Sequence, residues 1–177
     1  MNHKYITEMS SSEAKKFFLK PSTFVPLALP SYYKFDTVLK IAEEELKNSK
    51  IEDISKSKTS LSKSKDVNYT LLLNKDARYD WRPIQIVHPI VYVDLVNYMC
   101  EHWNEIIKKF KSFEKNEKIK CISIPLESTS KKNNDKEETI LNWWESLEQA
   151  SIKYSLNFKY CIKTDITNCY GSIYTHT

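Results

Sequence analysis

The sequence predicts a helix-rich α+β fold from three patterns. Apolar residues recur at helical spacing in three stretches: 36–48, the region that follows Pro89, and 138–154. Two short apolar runs, 68–74 and 82–88, flank a polar turn, and this arrangement predicts a β-hairpin. Residues 158–166 alternate in polarity, which predicts a strand with one packed face and one open face. The single glycine among 177 residues, where an average chain carries about 7%, indicates few turns that need positive φ.

The first third of the chain predicts short helices separated by a proline-rich stretch. Ser10 and Glu13 have the spacing of a capping box, so a short helix is expected over 14–19. Three prolines at 21, 26 and 30 predict an extended crossing segment. The next helix, over 36–48, has an apolar stripe made of Val38, Leu39, Ala42 and Leu46.

Residues 51–66 alternate serine and lysine and predict a solvated loop. The alternative is a basic loop that contacts a nucleic-acid backbone, because lysines bind phosphates electrostatically. The formal net charge of +4 is compatible with phosphate-bearing partners without requiring them.

The second half predicts two long helices with a strand between them. The first begins at Pro89, runs for about 20 residues and presents a stripe in steps of three and four: Tyr92, Leu95, Val96, Met99, Trp103, Ile106 and Phe110. A strand is expected over 118–125, a polar loop over 128–138 and the second helix over 138–154. His88, set among apolar residues before Pro89, is expected to be structural rather than catalytic.

The composition indicates a protein of the cytoplasm with no membrane partner. The four cysteines at 100, 121, 161 and 169 form no CxxC pair, so reduced thiols are expected rather than a zinc site. No signal peptide is predicted, and the apolar runs are too short to span a bilayer.

A candidate metal ligand lies at the end of the predicted strand. Asp165 falls on the open face, and hard cations such as Mg²⁺ are bound by carboxylate oxygens together with substrate phosphates. An aspartate at a strand end can equally be a turn residue or a helix cap. The residues around Asp165 are therefore needed to choose between these interpretations.

The string Asp165-Ile-Thr-Asn-Cys-Tyr170, followed by Ser-Ile-Tyr-Thr-His at 172–176, resembles the first catalytic motif of reverse transcriptases. It is most similar to the bacterial abortive-infection, or defence-associated, group. The resemblance implies that Asp165 is catalytic and ligates metal, and that the backbone carbonyl of Ile166 is a further ligand. It also implies that Tyr170 lies under the incoming sugar and rejects a 2′-hydroxyl; the alternative for Tyr170 is a core aromatic.

The string from Tyr79 to Val93 is similar to the fingers motif of the same group. There, basic side chains of a hairpin close over the triphosphate of the incoming nucleotide. The resemblance gives this role to Arg82 first, then Lys75, with Arg78 also at the tip. Arginine bonds phosphate in a bidentate manner and lysine acts as a point charge, so both types suit the task, although each can also be an ordinary surface cation.

The resemblance covers nearly the whole chain and implies an RNA-directed DNA polymerase of bacterial antiphage defence. Residues 1–66 would form an N-terminal helical region with the Lys/Ser loop, 67–157 the fingers, and 158–177 the start of the palm. Its cofactor would be two Mg²⁺ ions, and its partners dNTPs, an RNA template and a DNA product. Which template and primer it uses stays open.

One departure from the family is large. The second carboxylate motif, an aromatic residue, any residue and two aspartates, does not occur in the sequence. Two-metal phosphoryl transfer needs carboxylates from both motifs. We therefore expect an N-terminal fragment that makes no DNA alone. Two alternatives remain: a non-catalytic module that binds RNA or DNA with Asp165 merely structural, and a plain interaction domain.

Overall fold

The computed structural model describes residues 3–27, 29–30, 32–47, 49, 51, 67–74, 81–115, 120–129 and 134–167, and of Arg82 the backbone alone. In these ranges helices dominate and the strands form two small antiparallel sheets, which confirms an α+β fold. Whether these elements correspond to polymerase fingers stays a prediction, as does the domain boundary between residues 66 and 67.

The described residues begin with a strand for which the sequence holds no local signal. β1 (His3–Tyr5) leads through a short 3-10 helix (Ile6–Glu8) into α1 (Ser11–Phe18). The predicted capping box is confirmed, since Ser10 Oγ accepts from the Glu13 N–H and Glu13 Oε2 accepts from the Ser10 N–H at 2.8 Å. The helix therefore begins three residues earlier than position 14.

The proline-rich stretch contains a helix where extended chain was predicted. α2 (Pro21–Phe24) begins on a proline, because proline at the first helical position loses no intrahelical hydrogen bond. α3 (Asp36–Glu45) is shorter than the predicted 36–48. Its predicted stripe is buried at Leu39, Ala42 and Leu46, whereas Val38 is exposed.

The predicted hairpin is confirmed. β2 (Tyr69–Asn74) pairs antiparallel with β3 (Trp81–Ile86), with Leu71 opposite Ile84. Its base is fixed to the body, because Ile86 packs on a buried cluster and Asn68 Oδ1 accepts from the His88 N–H at 3.1 Å. Away from that base the hairpin is largely exposed.

The long helix expected after Pro89 is broken in two. α4 (Pro89–Glu101) and α5 (Trp103–Glu114) meet at His102, whose backbone leaves helical geometry at φ −96° and ψ 16°. Trp103, the first residue beyond the break, is buried and donates its indole N–H to the Met9 carbonyl at 2.9 Å. Leu95 and Phe110, predicted on the buried stripe, are 51% and 45% exposed. The buried residues of α4 are Val93 and Val96, so Leu95 lies off its buried face, and Phe110 lies beyond the break, across which one straight stripe cannot continue.

The predicted strand over 118–125 is wrong for residues 120–125, which form no ladder. Strand β4 (Leu126–Ser128) lies just beyond it and pairs with β1, with Leu126 opposite Tyr5. Leu126 is fully buried. Its burial and the pairing with β1, which was not predicted, determine where strand β4 lies. α6 (Asp135–Ser155) follows, begins three residues before position 138 and has its own capping box from Asn134 and Glu137.

The buried apolar residues that the structure describes form two clusters. One joins α2, α3 and α4 and comprises Phe24, Val25, Leu39, Ala42, Leu46 and Val93. The other joins the N-terminal residues, α1 and α5 and comprises Ile6, Met9, Ala14, Phe17 and Trp103. Among the described helices, none has the length and apolar content required to cross a bilayer.

The predicted strand over 158–166 is wrong as the structure describes it. These residues follow α6 without joining either sheet, and the face expected to pack is open, with Tyr160 83% and Ile162 92% exposed. A strand forms only where a second strand satisfies its N–H and C=O groups. In the described ranges no element lies beside this segment to do so.

Candidate metal and nucleotide site

Asp165 is a solvent-exposed carboxylate. Its Oδ1 accepts a hydrogen bond from the Ile166 N–H at 2.8 Å, a contact within the same short stretch of chain. The Ile166 side chain is 70% exposed. A carboxylate in this setting can take a cation, because little desolvation opposes binding and oxygen lone pairs remain free.

The structure describes only part of the predicted nucleotide site. Arg82 lies on β3, its backbone opposite Leu73 of β2. The Arg82 side chain, Lys75, Arg78 and Tyr170 lie outside the described residues. Their roles, and their placement relative to Asp165, stay predictions.

The hairpin that carries Arg82 presents apolar and aromatic groups to solvent. Tyr69 and Trp81 are 67% and 63% exposed, and Leu72 is 59% exposed. Trp81 pairs across the hairpin with Asn74, and Leu72 pairs with Pro83. Flat exposed rings are the side chains on which nucleobases stack, so this surface suits single-stranded nucleic acid chemically.

A complete metal centre is not formed within the described ranges, where no cluster of three or more His, Cys, Asp or Glu side chains occurs. Asp165 therefore provides one carboxylate there. A carboxylate is the type of ligand that Mg²⁺ prefers, but a single carboxylate cannot hold two ions. The remaining ligands would have to come from nucleotide phosphates and from further carboxylates.

Helix α6, which leads to Asp165, is held at its start by a partly buried group of ion pairs around Lys20, here called the Lys20 cluster. No local pattern in the sequence predicts it. Lys20, just before α2, contacts Glu127 on β4 and Asp135 at the start of α6, with 2.7 Å between Lys20 Nζ and Asp135 Oδ2. Partial burial lowers the pKa of Lys20, but hydrogen bonds to Asp135 and Glu127 outweigh it and the net pKa is raised. The same Asp135 accepts from the Ser128 N–H at 2.9 Å.

Two further contacts fasten the first half of α6. Tyr5 donates its hydroxyl to Asn142 Oδ1 at 3.1 Å, and His3 Nδ1 lies 3.6 Å from Glu138 Oε1. Sequence alone offered one usable signal here, the Asn-x-x-Glu capping spacing of Asn134 and Glu137. The pairing of Lys20 with residues more than a hundred positions away has no local signal.

A groove of about 650 Å³ lies where β1, α5, residues 121–124 and α6 meet. Its rim includes Glu8, Lys111 and Glu114, with Cys121 and Ser146 also lining it. Glu8 is already engaged, since its Oε2 accepts from the Tyr5 N–H at 3.0 Å. The rim carries charges of both signs, and Glu8 already accepts a hydrogen bond from a neighbouring residue. The groove therefore indicates no particular ligand or reaction.

The comparisons with known proteins give no family. No model of a known protein family matches the chain, and no curated protein matches it. The function therefore rests on the residues and on their arrangement.

Proposed function

We propose that this chain is the fingers and the beginning of the palm of an RNA-directed DNA polymerase of the bacterial defence type. The observation that carries the proposal is Asp165, which heads the string Asp-Ile-Thr-Asn-Cys-Tyr and whose carboxylate is open to solvent. The carboxylate is exposed, and its described hydrogen bond is to the neighbouring Ile166 N–H, so it can bind a cation without leaving a buried ion pair.

The hairpin supports the proposal as a second element. β2 and β3 form where the sequence predicts them, are fixed at the base by Ile86 and project into solvent beyond it. In the proposed enzyme Lys75, Arg78 and Arg82 would bind the triphosphate of the incoming dNTP. Such contacts neutralise charge that grows on the leaving pyrophosphate, which is the main catalytic requirement of phosphoryl transfer.

In the proposed reaction the primer 3′-hydroxyl attacks the α-phosphate of the dNTP and pyrophosphate leaves. Asp165 and the Ile166 carbonyl would hold metal, and Tyr170 would exclude a ribose 2′-hydroxyl. Two Mg²⁺ ions, when bound, would lower the pKa of the attacking hydroxyl and stabilise charge on the leaving oxygen. The two aspartates of the second motif, which this chemistry requires, are absent from the sequence and would have to be supplied by a longer form of the protein.

The test is primer extension with Mg²⁺ and dNTPs. The 177-residue chain is expected to make no DNA, and a full-length protein that also carries the two-aspartate motif is expected to extend a primer. In that full-length protein Asp165→Asn should reduce the rate by roughly 100-fold or more, since even changes to groups that only orient metal ligands cost roughly 10–100-fold. The matched control is Asp36→Asn, which removes the same charge from an exposed position at the start of α3.

Full activity of the Asp165→Asn protein would contradict the metal role. The exposed rings of Tyr69 and Trp81 favour one alternative, a non-catalytic nucleic-acid-binding module. Salt-sensitive RNA binding without primer extension by the full-length protein would favour that alternative. Absence of both activities would leave an interaction domain.

A further inference from the structure

A short group of aromatic rings before α3 is open to solvent. Tyr32 is 74% exposed and Tyr33 is 52% exposed, and their rings lie 4.8 Å apart, centroid to centroid, at an interplanar angle of 34°. The ring of Phe35 continues the group, since it lies 6.4 Å from that of Tyr33 and within 12° of parallel to it. We call these three residues the ring series. Single exposed rings are common, but rings grouped in this way mark an interaction site.

The ring series is held by contacts to the body of the protein. Leu29 and Phe35, on either side of the two tyrosines in the sequence, pack against the buried cluster of α2, α3 and α4. Phe35 also meets Phe24 of that cluster edge to face, with 5.7 Å between the ring centroids. The Tyr33 N–H donates to the Pro30 carbonyl at 3.0 Å and closes a turn. Rings that are already fixed in place lose little conformational entropy when they bind a ligand.

The charge within the ring series is positive. Lys34 is exposed and takes part in none of the ion pairs among the described residues. Positions 14–35 contain four lysines and no aspartate or glutamate, and the first acidic residue after them is Asp36. Stacked rings with a cation between them are the combination that binds single-stranded nucleic acid, because bases stack on the rings and the cation binds phosphate.

Other ligands of aromatic side chains fit the ring series less well. A proline-rich peptide docks into an aromatic-lined groove, whereas the Tyr32 ring leaves most of its surface open and so offers a platform. Such a peptide also makes no use of an unpaired lysine. The bases of a duplex are already stacked on one another, so a duplex can offer these rings only its ends.

We propose that the ring series is a stacking site for the unpaired bases of a single-stranded nucleic acid, with Lys34 on the phosphate backbone. RNA and DNA strands are both ligands, because every base has a face that can stack. The site consists of different residues from the exposed hairpin rings of Tyr69 and Trp81. It goes beyond the proposed polymerase activity, since stacking requires no metal, primer or dNTP.

The first test measures binding of the 177-residue chain to a fluorescein-labelled oligothymidylate of about 12 nucleotides, by fluorescence anisotropy. Tyr32→Ala and Tyr32→Leu should each weaken binding about tenfold, the usual effect of losing one stacked base. Tyr32→Phe should bind normally, because it keeps the ring. The matched control is Tyr98→Ala, which removes a tyrosine that is 62% exposed on α4. Circular dichroism checks that each variant keeps its helices.

The second test locates the contact. An oligonucleotide with iodouracil in place of thymine cross-links under ultraviolet light to a ring on which it stacks, and peptide mapping should find the cross-link on Tyr32 or Tyr33. An oligouridylate should behave as the DNA strand does. A duplex of the same length should bind equally well to the unmodified chain and to Tyr32→Ala.

The third test concerns the phosphate contact. Lys34→Gln should reduce the slope of log affinity against log salt concentration by about one, because one phosphate contact is lost. Lys153→Gln, which removes an exposed lysine of α6, should leave that slope unchanged.

Several outcomes would overturn the proposal. They are a chain that binds no oligonucleotide, unchanged binding by Tyr32→Ala, and cross-links that fall only on the hairpin rings. Normal binding by Tyr32→Leu would also contradict it, because leucine is apolar without a flat ring. A proline-rich peptide that binds through Tyr32 while oligonucleotides do not would assign the ring series to peptides. None of these results depends on primer extension by the full-length protein, so the two proposals fail separately.

Discussion

Tyr92 shows how one side chain can join several elements. Its ring lies 4.7 Å from that of Phe24, centroid to centroid, and its hydroxyl donates to the Phe18 carbonyl at 2.7 Å. The residue therefore connects α4 to the ends of α1 and α2. Burial raises the pKa of Tyr92 from 10.0 to about 12, because the phenolate would lose its hydration.

We expect Tyr92→Phe to cost about 1 kcal/mol of unfolding free energy at pH 7, the usual net value of one hydrogen bond. In the native protein the raised pKa contributes stability that is fully present below pH 10 and is lost as pH rises toward 12. The variant should lack this portion of the alkaline loss. Urea unfolding at pH 7 and pH 11 measures both effects.

The exposed Tyr32 is the matched control, since Tyr32→Phe removes the same hydroxyl from a ring that is 74% exposed. It should change neither the stability at pH 7 nor its alkaline dependence. Equal alkaline loss in the Tyr92→Phe protein and the unmodified protein would show that other groups, such as the lysines, cause all of that loss.

Single residues differ in how well their surroundings can be predicted. His88 was expected to be structural, and its Nδ1 accepts from the Ile90 N–H at 3.3 Å at the start of α4. That contact is local and follows from a histidine before Pro89. The Lys20 cluster is a product of tertiary structure, so no spacing in the sequence predicts it.

At the scale of elements, the hairpin and the helices other than α2 were predictable because their signals are local, although the break between α4 and α5 was not. The capping box at Ser10, the proline that begins α4 and the polar turn between two apolar runs each act within a few residues. Strand pairing across long distances was not predictable. β1 and β4 join residues 3–5 to 126–128, and this partner decides where the strand lies.

The capping box of α1 makes a prediction in acid. The carboxylate of Glu13 accepts from Lys4 Nζ and from the N–H and hydroxyl of Ser10, and these bonds lower the pKa of Glu13 from 4.5 to about 2. A lowered pKa contributes stability that is present above pH 4.5 and is lost as pH falls toward 2. Glu13→Gln should therefore lower the urea midpoint at pH 6 and reduce its fall between pH 4.5 and 2.

Glu44→Gln is the control for this measurement, because Glu44 is an exposed glutamate of α3. It should leave the acid limb of the unfolding curve as it is in the unmodified protein. If Glu13→Gln and Glu44→Gln behaved alike, the capping box would contribute nothing beyond helix propensity.

At the scale of the molecule, α6 differs from the other helices in how it is held. α1 and α3 both pack against α4, and α3 shares a buried cluster with it, whereas no residue of α6 is buried. Its described polar attachments lie in its first turns, at Asp135, Lys136, Glu138 and Asn142. The direction in which α6 leads to Asp165 therefore depends on polar contacts near its start.

Lys20 is the residue on which this attachment depends most. Its ammonium group bridges β4 and α6 through Glu127 and Asp135, and removal of it leaves two carboxylates close together without a cation. We expect Lys20→Met to cost roughly 1–2 kcal/mol, between the values for an exposed pair and for a hydrogen bond to a buried charge. Because the pKa of Lys20 is raised, this contribution is complete below pH 10.5 and is lost as pH rises through the folded value.

Hydrogen exchange locates the effect of that substitution. In Lys20→Met the amides of α6 should exchange faster, while those of α3 and α4 keep their protection, because the latter belong to the apolar clusters. Lys15→Met is the matched control. Lys15 is exposed to a similar extent, but its Nζ lies 3.0 Å from Oε1 of Glu43 on α3. It should change exchange near α3 and leave α6 unaffected. Uniform acceleration throughout the protein with Lys20→Met would show that α6 unfolds only with the whole molecule, and local fastening by Lys20 would then be wrong.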